Sequence, residues 1–400
     1  MSVVRHIVVR AKGLCSGCSA CANICPKQSI HMKPDEEGFV YPVVDASKCI
    51  ECGLCTKICP IQNKFEEKDG TPLSYVVQNK DCLARSESSS GGMFSALAEY
   101  VLAKQGVVYG AAFDENFVVR HIGIQSADEL YKLRGSKYVQ SEIGETFALA
   151  KKELDDNRWV CFSGTPCQIA GLKSFLKKDY ENLVLVDLVC HGTPSPMLFK
   201  KYIDYHTAKD GALKYVSFRS KEFGYAGSTM ALMFESGKKR FSSQDVHFFK
   251  ETFFKNLSTR PSCYQCSFKT VNRVSDFTIF DCWNVNAFNK GMDDDKGTTA
   301  VLIHTNKGLK IFNEISEKID KLQVDFNALK EYNGCMIDHC IPMNPRRDDF
   351  FKDVQRFTIP EMIKKYTPVT MKKRCIQKVK PVLRKLGVLH KLKRMIGKFL

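Results

Sequence analysis

The sequence contains no long apolar run, and its first residues are not expected to form a leader segment. In its 400 residues, no stretch approaches the roughly 18–20 uninterrupted apolar residues that a membrane-spanning helix needs. Residues 1–13 are apolar but are interrupted by Arg5, His6 and Arg10, and they contain no small-residue cleavage site. A signal peptide is therefore not expected there, and a short strand is predicted instead.

Acidic residues are absent beyond Glu361, so the charge is unevenly divided. The formal net charge is +16, and residues 362–400 contain thirteen Lys and Arg residues with no Asp or Glu. The rest of the chain is close to neutral. Any argument about a charged partner therefore concerns this tail.

Apolar residues in the tail, from Ile376 to Phe399, recur at steps of three and four. This spacing predicts a basic amphipathic helix, a type that binds anionic membrane surfaces. The alternative is that the apolar stripe packs on this protein or on a partner. Aromatic residues interleaved with the charges are nearly absent, so nucleic-acid binding is not expected.

The 18 cysteines are typical either of a secreted disulfide scaffold or of a metal-binding protein. Disulfide-rich secreted scaffolds are short, and this chain is long. Cysteines at short, regular spacing inside a cell more often bind metal. We therefore expect a cytoplasmic metalloprotein, with peripheral association at the inner membrane face if the tail binds lipid.

Two stretches, 15–26 and 49–60, share the pattern C-x2-C-x2-C-x3-C-P. They resemble bacterial ferredoxins that carry two 4Fe-4S clusters, in which the fourth cysteine of each loop ligates the cluster of the other. The resemblance implies one cluster on Cys15, Cys18, Cys21 and Cys59, and a second on Cys25, Cys49, Cys52 and Cys55. Two zinc sites are the alternative, but zinc favours paired C-x2-C units.

Beyond a polar segment at 61–73, strand and helix patterns alternate, as in LVLVDLVC followed by a helix from Pro196. This alternation predicts an α/β domain with a mixed sheet. The stretch 213–240 is expected to be antiparallel, and a helix is predicted over Lys307–Asp320. No clear linker divides residues 74–345, so we treat them as one unit.

Four further cysteines are candidates for a third 4Fe-4S cluster: Cys167, Cys190, Cys263 and Cys266. Cys167 and Cys190 each follow an apolar strand, at the carboxyl edge where α/β sheets bind ligands. The alternatives are a zinc knuckle at Cys263 and Cys266, and packed core thiols at the other two. Cys161, within a strand, is expected to be a core thiol.

Six motifs in a fixed order then match a known family: SSGGMFSAL, LRGSKYVQS, FSGTPCQIAGL, VCHGTPSP, RPSCYQC and SDFTIFDCWN. Behind a two-cluster ferredoxin segment, they resemble the coenzyme F-420 hydrogenase/dehydrogenase beta-subunit family over roughly residues 10–345. The resemblance implies a flavoprotein in which FAD exchanges hydride and iron–sulfur clusters pass single electrons. It also favours the third cluster and implies F-420, a deazaflavin, as one candidate substrate.

The FAD pyrophosphate is expected at a Ser-Gly loop before a helix. Glycines allow close approach of the backbone, and a helix N-terminus offers free N–H groups. The candidate cofactor-binding residues are Ser88, Ser90, Gly91, Gly92, Arg134 and Lys137. An ordinary helix cap and a solvated basic turn are the alternatives for the two halves of this set.

His191 and Lys137 are the candidate catalytic residues. His191 follows a strand end and is a candidate proton donor near the flavin, although a structural histidine is the alternative. Asp276, Asp281 and Trp283 also match family positions.

The predicted fold class is α+β, in three parts. A small ferredoxin-like two-cluster domain spans 1–65, a larger α/β flavin-binding domain with a mixed sheet spans 74–345, and a basic tail spans 362–400. The expected function is an iron–sulfur flavoprotein oxidoreductase with a small-molecule substrate and a redox partner protein such as a ferredoxin or reductase. The alternative is a non-catalytic electron-transfer subunit of a larger redox complex.

Overall fold

The computed structural model describes residues 6–7, 11–66, 70–241, 243–334 and 336–368. The strand predicted within residues 1–13 lies largely outside this part of the chain, where only a 3-10 turn at Lys12–Leu14 is described. The basic helix predicted from residue 371 lies outside it altogether.

The N-terminal segment consists of two short helices and a hairpin. Its elements are α1 (Ala20–Asn23), β1 (Ile30–Pro34), β2 (Val40–Val44) and α2 (Leu54–Lys57). The strands pair antiparallel, with Met32 opposite Pro42. Each helix follows a left-handed residue, Ser19 or Gly53, which turns the chain sharply after the preceding cysteine.

The remaining described residues form eleven strands. They are β3 (Leu73–Asn79), β4 (Val107–Phe113), β5 (Val119–Ile124), β6 (Val160–Ser163), β7 (Leu183–Leu188), β8 (Leu213–Ser220), β9 (Thr229–Phe234), β10 (Lys239–Phe241), β11 (Phe277–Asp281), β12 (Thr299–Ile303) and β13 (Ile319–Gln323). Eight of them form one sheet in the order β13-β3-β12-β11-β7-β6-β4-β5. Parallel pairs at its centre (β4·β6, β6·β7, β7·β11) are flanked by antiparallel pairs, so the predicted mixed sheet is confirmed. The predicted antiparallel stretch is the separate sheet β10-β9-β8.

The described residues beyond the N-terminal segment also form ten helices, some of which pack on the large sheet and others on the three-stranded sheet. They are α3 (Cys82–Glu87), α4 (Met93–Ala103), α5 (Thr146–Asp155), α6 (Pro166–Leu176), α7 (Pro196–Asp210), α8 (Gln244–Phe254), α9 (Asn306–Glu314), α10 (Phe326–Asn333), α11 (Arg347–Arg356) and α12 (Ile359–Tyr366). One apolar core lies under α4 and α9, and another under α5 and α6. Within the described residues, no helix has the length and apolar character needed to cross a bilayer.

The N-terminal segment shares its core with the large domain. Ala20 and Ile58 pack in the same apolar cluster as Ile169 and Leu172 of α6. A Cβ atom at Gly171 would lie only 3.0 Å from Cys18 Cβ, so the backbone of α6 directly contacts a cysteine loop. The two parts of the chain are therefore joined by close packing.

The hairpin tip is held on its other side by α7 and α11. A Cβ at Gly38 would lie 2.5 Å from Met197 Cβ, and Arg347 donates to Glu37 Oε1 at 2.9 Å. Met362 and Tyr366 of α12 are fully or almost fully buried. The folded body therefore extends past the predicted boundary at 345 and includes the first residues of the predicted tail.

Candidate metal centres and cofactor cleft

We call Cys15, Cys18, Cys21 and Cys59 the first thiol set. Cys15 and Cys18 lie in the loop before α1, Cys21 lies within α1, and Cys59 follows α2. Burial raises the pKa of Cys18 to about 12, with smaller contributions from the thiols of Cys15 and Cys59. The electrostatic coupling means that cysteines from both repeats converge, and a bound cation would be needed to keep them ionised.

The second thiol set is Cys25, Cys49, Cys52 and Cys55, which line one small cavity beside Pro26 and Gly53. Burial opposes ionisation of Cys25, but hydrogen bonds from Ser29 outweigh it and lower the pKa of this thiol. The Ser29 N–H lies 3.4 Å from Cys25 Sγ. Cys52 is exposed, so this set lies nearest to solvent.

The third thiol set is Cys167, Cys190, Cys263 and Cys266, which together line a cavity of about 50 Å³. Cys167 lies in the first turn of α6, Cys190 follows β7, and the other two lie on a 3-10 turn and just after it. Burial raises the pKa of Cys167 to about 11 and that of Cys190 and Cys263 to about 12. A buried, four-thiol cavity suits a cluster whose iron supplies the missing positive charge.

The four thiols of each set do not converge on a single point. Among the described residues, no three His, Cys, Asp or Glu side chains are grouped as ligands of one metal ion. In a 4Fe-4S cluster each thiolate binds a different iron, so the ligands surround a volume. Cys340, which is exposed, lies beside the third set, with its Sγ 3.8 Å from the carbonyl oxygen of Cys266.

A large cleft of about 510 Å³ lies beside the third thiol set. It lies at the carboxyl edge of the large sheet, where β6, β7 and β11 end, as expected for a ligand site in an α/β fold. Cys167 and Cys190 line both the cleft and the thiol cavity. The cleft and the third set are therefore neighbours with no intervening layer of protein.

One end of the cleft is formed by the Ser-Gly loop before α4. The hydroxyl of Ser88 donates to the carbonyl of Ala84 at 2.6 Å, and that of Ser90 donates to the carbonyl of Thr298 at 2.7 Å. These hydroxyl protons hold the loop in shape and are not directed at the cleft. Ser88 and Ser90, predicted as cofactor-binding residues, therefore line the cleft without offering it a hydroxyl proton.

The two glycines of this loop have different roles. A Cβ at Gly91 would lie 2.4 Å from the carbonyl oxygen of Val77 and 2.5 Å from the amide nitrogen of Thr299, so Gly91 permits close backbone packing. Gly92 lines the cleft and has a left-handed φ of 86° immediately before α4. No side chain caps α4. Its first-turn N–H groups are the donors that fit a phosphate.

Arg134 and Lys137 both line the cleft but differ in their available charge. Arg134 NH1 lies 2.5 Å from Glu87 Oε2, so that guanidinium is largely neutralised. Lys137 Nζ donates to the carbonyls of Lys132 and Arg134 at 2.9 and 2.8 Å. Burial lowers the pKa of Lys137 to about 7, which leaves it between its charged and neutral forms near neutral pH.

His191 lines both cavities and follows Cys190. Its Nε2 lies 2.8 Å from Asn256 Oδ1, and Asn256 Nδ2 donates to the carbonyl of Pro342. The amide oxygen is therefore the acceptor, and His191 donates. Burial lowers the pKa of His191, so the ring is neutral at pH 7 with this proton directed to Asn256. This geometry favours a role in holding the loop.

Sequence reasoning missed Arg219, which lies on β8 and reaches the cleft. It forms a two-point ion pair with Asp281, at 2.5 and 3.0 Å, and its guanidinium lies 4.6 Å from the ring centroid of Trp283. Tyr225 stacks on Trp283 and donates to Asp281. The alternation in LKYVSFRS indicates only a strand, so no local signal identifies Arg219. Asp281 and Trp283, which the resemblance had singled out, are both at the cleft.

This fold, with its cysteine loops against a mixed sheet, defines an iron–sulfur electron-transfer protein of the oxidoreductase class. Models for the N-terminal and C-terminal parts of the coenzyme F420 hydrogenase/dehydrogenase beta subunit match residues 74–147 and 157–325, and a 4Fe-4S dicluster domain matches residues 14–63. The two beta-subunit matches cover more than half of the chain. The chain belongs to this family, with an N-terminal 4Fe-4S dicluster domain.

Thirteen chains of solved structures also match. One of them, from the F420-reducing NiFe hydrogenase complex of Methanosarcina barkeri, is 15% identical, with a TM-score of 0.44, and the match covers 77% of this chain and 98% of that chain. No curated protein matches the sequence.

Proposed function

We propose that the protein is an iron–sulfur flavoprotein oxidoreductase. Three 4Fe-4S clusters on the three thiol sets would pass single electrons to or from FAD in the cleft. When bound, FAD supplies the exchange between one-electron transfer and two-electron hydride transfer. The observation that carries the proposal is that Cys167 and Cys190 border both the third thiol set and the cleft.

The order of the thiol sets supports a linear route. The thiol of Cys21 in the first set is coupled electrostatically to Cys55 of the second set, and the thiol of Cys18 is coupled to Cys167 of the third. The backbone of α6 at Gly171 lies directly against Cys18. The exposed Cys52 marks the second set as the point of exchange with a redox partner protein, such as a ferredoxin or reductase.

Within the cleft, the chain would bind and orient the cofactor. The uncapped first turn of α4 would donate its free N–H groups to the FAD pyrophosphate. Lys137 would add a positive charge by taking up a proton when the anion binds. His191 would hold the loop beside the third set, and the Arg219–Asp281 pair and Trp283 would border the substrate side. An organic substrate or the deazaflavin F-420 would exchange hydride there.

Anaerobic purification of the full chain, with iron, sulfide and flavin quantified together, tests this proposal. We expect three 4Fe-4S clusters and one FAD per chain. On rapid reduction, the cluster and flavin absorption bands should both bleach. Colourless protein that contains zinc, or bleaching of cluster bands in a protein whose flavin never changes, would overturn it.

The alternative is a non-catalytic electron-transfer subunit of a larger redox complex. It is favoured by the exposed second set, which could serve a protein partner without any chemistry in the cleft. Protein with two clusters and no flavin, after reconstitution with excess FAD, would support this alternative over the enzyme.

A further inference from the structure

Arg260 is the largest fully buried side chain of the described residues, with 1% of its surface exposed. It lies in the loop after α8, two residues after Ser258, whose carbonyl accepts from Ser195 N. Its own N–H donates to the carbonyl of Thr193 at 2.9 Å, and its carbonyl accepts from Cys263 N at 3.0 Å. The backbone of Arg260 is therefore hydrogen-bonded to Cys263 of the third thiol set and to Thr193 of the cleft wall.

The side chain of Arg260 reaches into the N-terminal segment. Its Nε donates to the carbonyl of Cys15 at 2.9 Å, NH2 donates to the carbonyl of Val40 at 3.1 Å, and NH1 donates to Gln140 Oε1 at 3.1 Å. The guanidinium lies 4.2 Å from the ring centroid of Tyr41. All of these partners are neutral.

No carboxylate of the described residues forms an ion pair with Arg260, in contrast to three other well-buried arginines. Arg219 pairs with Asp281, Arg273 with Asp187 and Arg347 with Glu37. A buried charge without an opposite charge is among the costlier features of a fold, so a counter-ion is expected nearby.

The groups around Arg260 show where that counter-ion belongs. The Nε–H of Arg260 donates to the carbonyl of Cys15 in the first set, and the carbonyl of Arg260 accepts from the N–H of Cys263 in the third. A 4Fe-4S cluster with four thiolate ligands carries a net negative charge, and reduction adds one more. Arg260 therefore contacts both of the sets that would carry this charge, the first through its side chain and the third through its backbone.

We propose that Arg260 is the shared counter-cation of clusters on the first and third thiol sets, and that it raises the reduction potential of both. The inference rests on the proposed function, since it requires clusters at these two sets. Its consequence is that one fixed charge stabilises the reduced form of both clusters. The potential of the second set, to which Arg260 donates no hydrogen bond among the described residues, would be set independently. Arg260 is a positioning residue and touches no substrate.

The test is a redox titration of the anaerobically reconstituted full chain, followed by electron paramagnetic resonance, for the wild type and for Arg260→Met and Arg260→Lys. In Arg260→Met we expect the equilibrium for reduction of two clusters to weaken at least about tenfold, or about 59 mV for a one-electron couple. The potential of the cluster on the second thiol set should not change. Arg260→Lys keeps the charge and should retain most of the wild-type potentials.

The double variant Glu37→Gln/Arg347→Gln is the matched control. It removes a second buried guanidinium, one that donates to the carbonyl of Thr259 beside Arg260, without changing the net charge. Its potentials should equal those of the wild type. Unchanged potentials in Arg260→Met with full iron content, or equal shifts in Arg260→Lys and Arg260→Met, would overturn the inference.

Failure of the proposed function is read separately. It appears in the wild type as iron for only two clusters or as absent flavin. In such a protein, the effect of Arg260 on the reduction potential of the cluster on the first set can still be measured.

Discussion

At the residue scale, the cysteines fall into two groups that their local sequence only partly separates. Cys161 is fully buried in the core under α4, as its position within an apolar strand predicts. Cys263 lies in a cavity with three other thiols from distant parts of the chain. Spacing alone identifies the eight cysteines of the two repeats because each repeat is local, and the ferredoxin resemblance divides them into two sets. The third set is assembled by the fold.

Cys263→Ala tests the third set directly. We expect the reconstituted variant to lose one 4Fe-4S cluster per chain, because four thiolates are needed to hold it. Iron and sulfide analysis measures the loss. Cys161→Ala is the control, since it removes an equally buried thiol outside the three sets, and its iron content should stay at the wild-type level. Equal iron in both variants would contradict the assignment.

If FAD binds in the cleft as proposed, Lys137 should make its binding pH-dependent. Its pKa is lowered to about 7 by burial, so it is charged below pH 7 and increasingly neutral above. An anionic ligand favours the charged form, so binding above pH 7 takes up a proton. The affinity for FAD should therefore fall with rising pH by up to about tenfold per unit from this group.

Calorimetric titration of FAD into cluster-loaded, flavin-free protein, in buffers of different ionisation enthalpy, measures that proton uptake. We expect Lys137→Met to abolish it. Lys132→Met, which removes a nearby lysine paired with Glu129, should keep it. Uptake that persists in Lys137→Met would assign the proton to another group.

Other residues singled out by sequence have structural roles that only the fold reveals. Asp276 is buried away from the cleft, where it accepts from Leu185 N at 2.9 Å and from the hydroxyl of Thr305 at 2.6 Å. Asp276 immediately precedes β11, and an aspartate at a strand boundary gives the same sequence pattern whether it faces a ligand or a neighbouring strand. Arg219 and Arg260 were missed because single arginines carry no pattern.

At the scale of elements, most strands and helices were predictable, but one boundary was not. The sequence predicts a helix over Lys307–Asp320, whereas α9 ends at Glu314 and β13 begins at Ile319. Asp320 and Lys321 are exposed on an edge strand that pairs with β3. This prediction was wrong because the helical pattern extends into a short polar strand, which only pairing with a distant strand stabilises.

The loop before α4 can be tested by comparing two glycines. Gly91→Ala would drive a Cβ into the backbone at Val77 and Thr299, and we expect a loss of about 1–3 kcal/mol of stability or more. Gly135 has a φ of 81° but no atom within 4 Å of its Cβ position, so Gly135→Ala should cost about 1 kcal/mol from backbone strain alone. Thermal unfolding midpoints of the two variants give the order.

If Gly135→Ala were as destabilising as Gly91→Ala, close packing would not explain the glycine at position 91. FAD binding should survive in Gly135→Ala, because the first turn of α4 is unaffected.

At the scale of the whole molecule, the cysteine-bearing segment and the mixed-sheet domain are each predictable from the sequence, but the way they pack together is not. The repeats predict the cysteine-bearing segment and the alternating pattern predicts the mixed sheet, since both signals are periodic along the chain. The contact of Gly171 with Cys18, and the seat of the hairpin tip between α7 and α11, arise between segments far apart in sequence.

The membrane prediction for the basic tail concerns residues outside the described part of the chain, and the fold fixes how to test it. Because α12 is packed into the body, a truncation must follow residue 368 rather than cut the helix. We expect the full chain, but not residues 1–368, to co-sediment with anionic vesicles, and neither with neutral ones. Equal sedimentation of both chains would remove the membrane interpretation.

The contacts of the β1–β2 hairpin tip with α7 and α11 limit how the N-terminal segment could be replaced by another ferredoxin-like module. Electron-carrying modules are often treated as interchangeable cassettes, joined to a catalytic body by a linker. Here a replacement module would need a side-chain-free residue at position 38 to clear Met197, an acid at position 37 to meet Arg347, and a carbonyl where Cys15 receives Arg260. A replacement module that reproduced only the cysteine spacing would not pack against the larger domain, and its clusters would not be held beside the third thiol set.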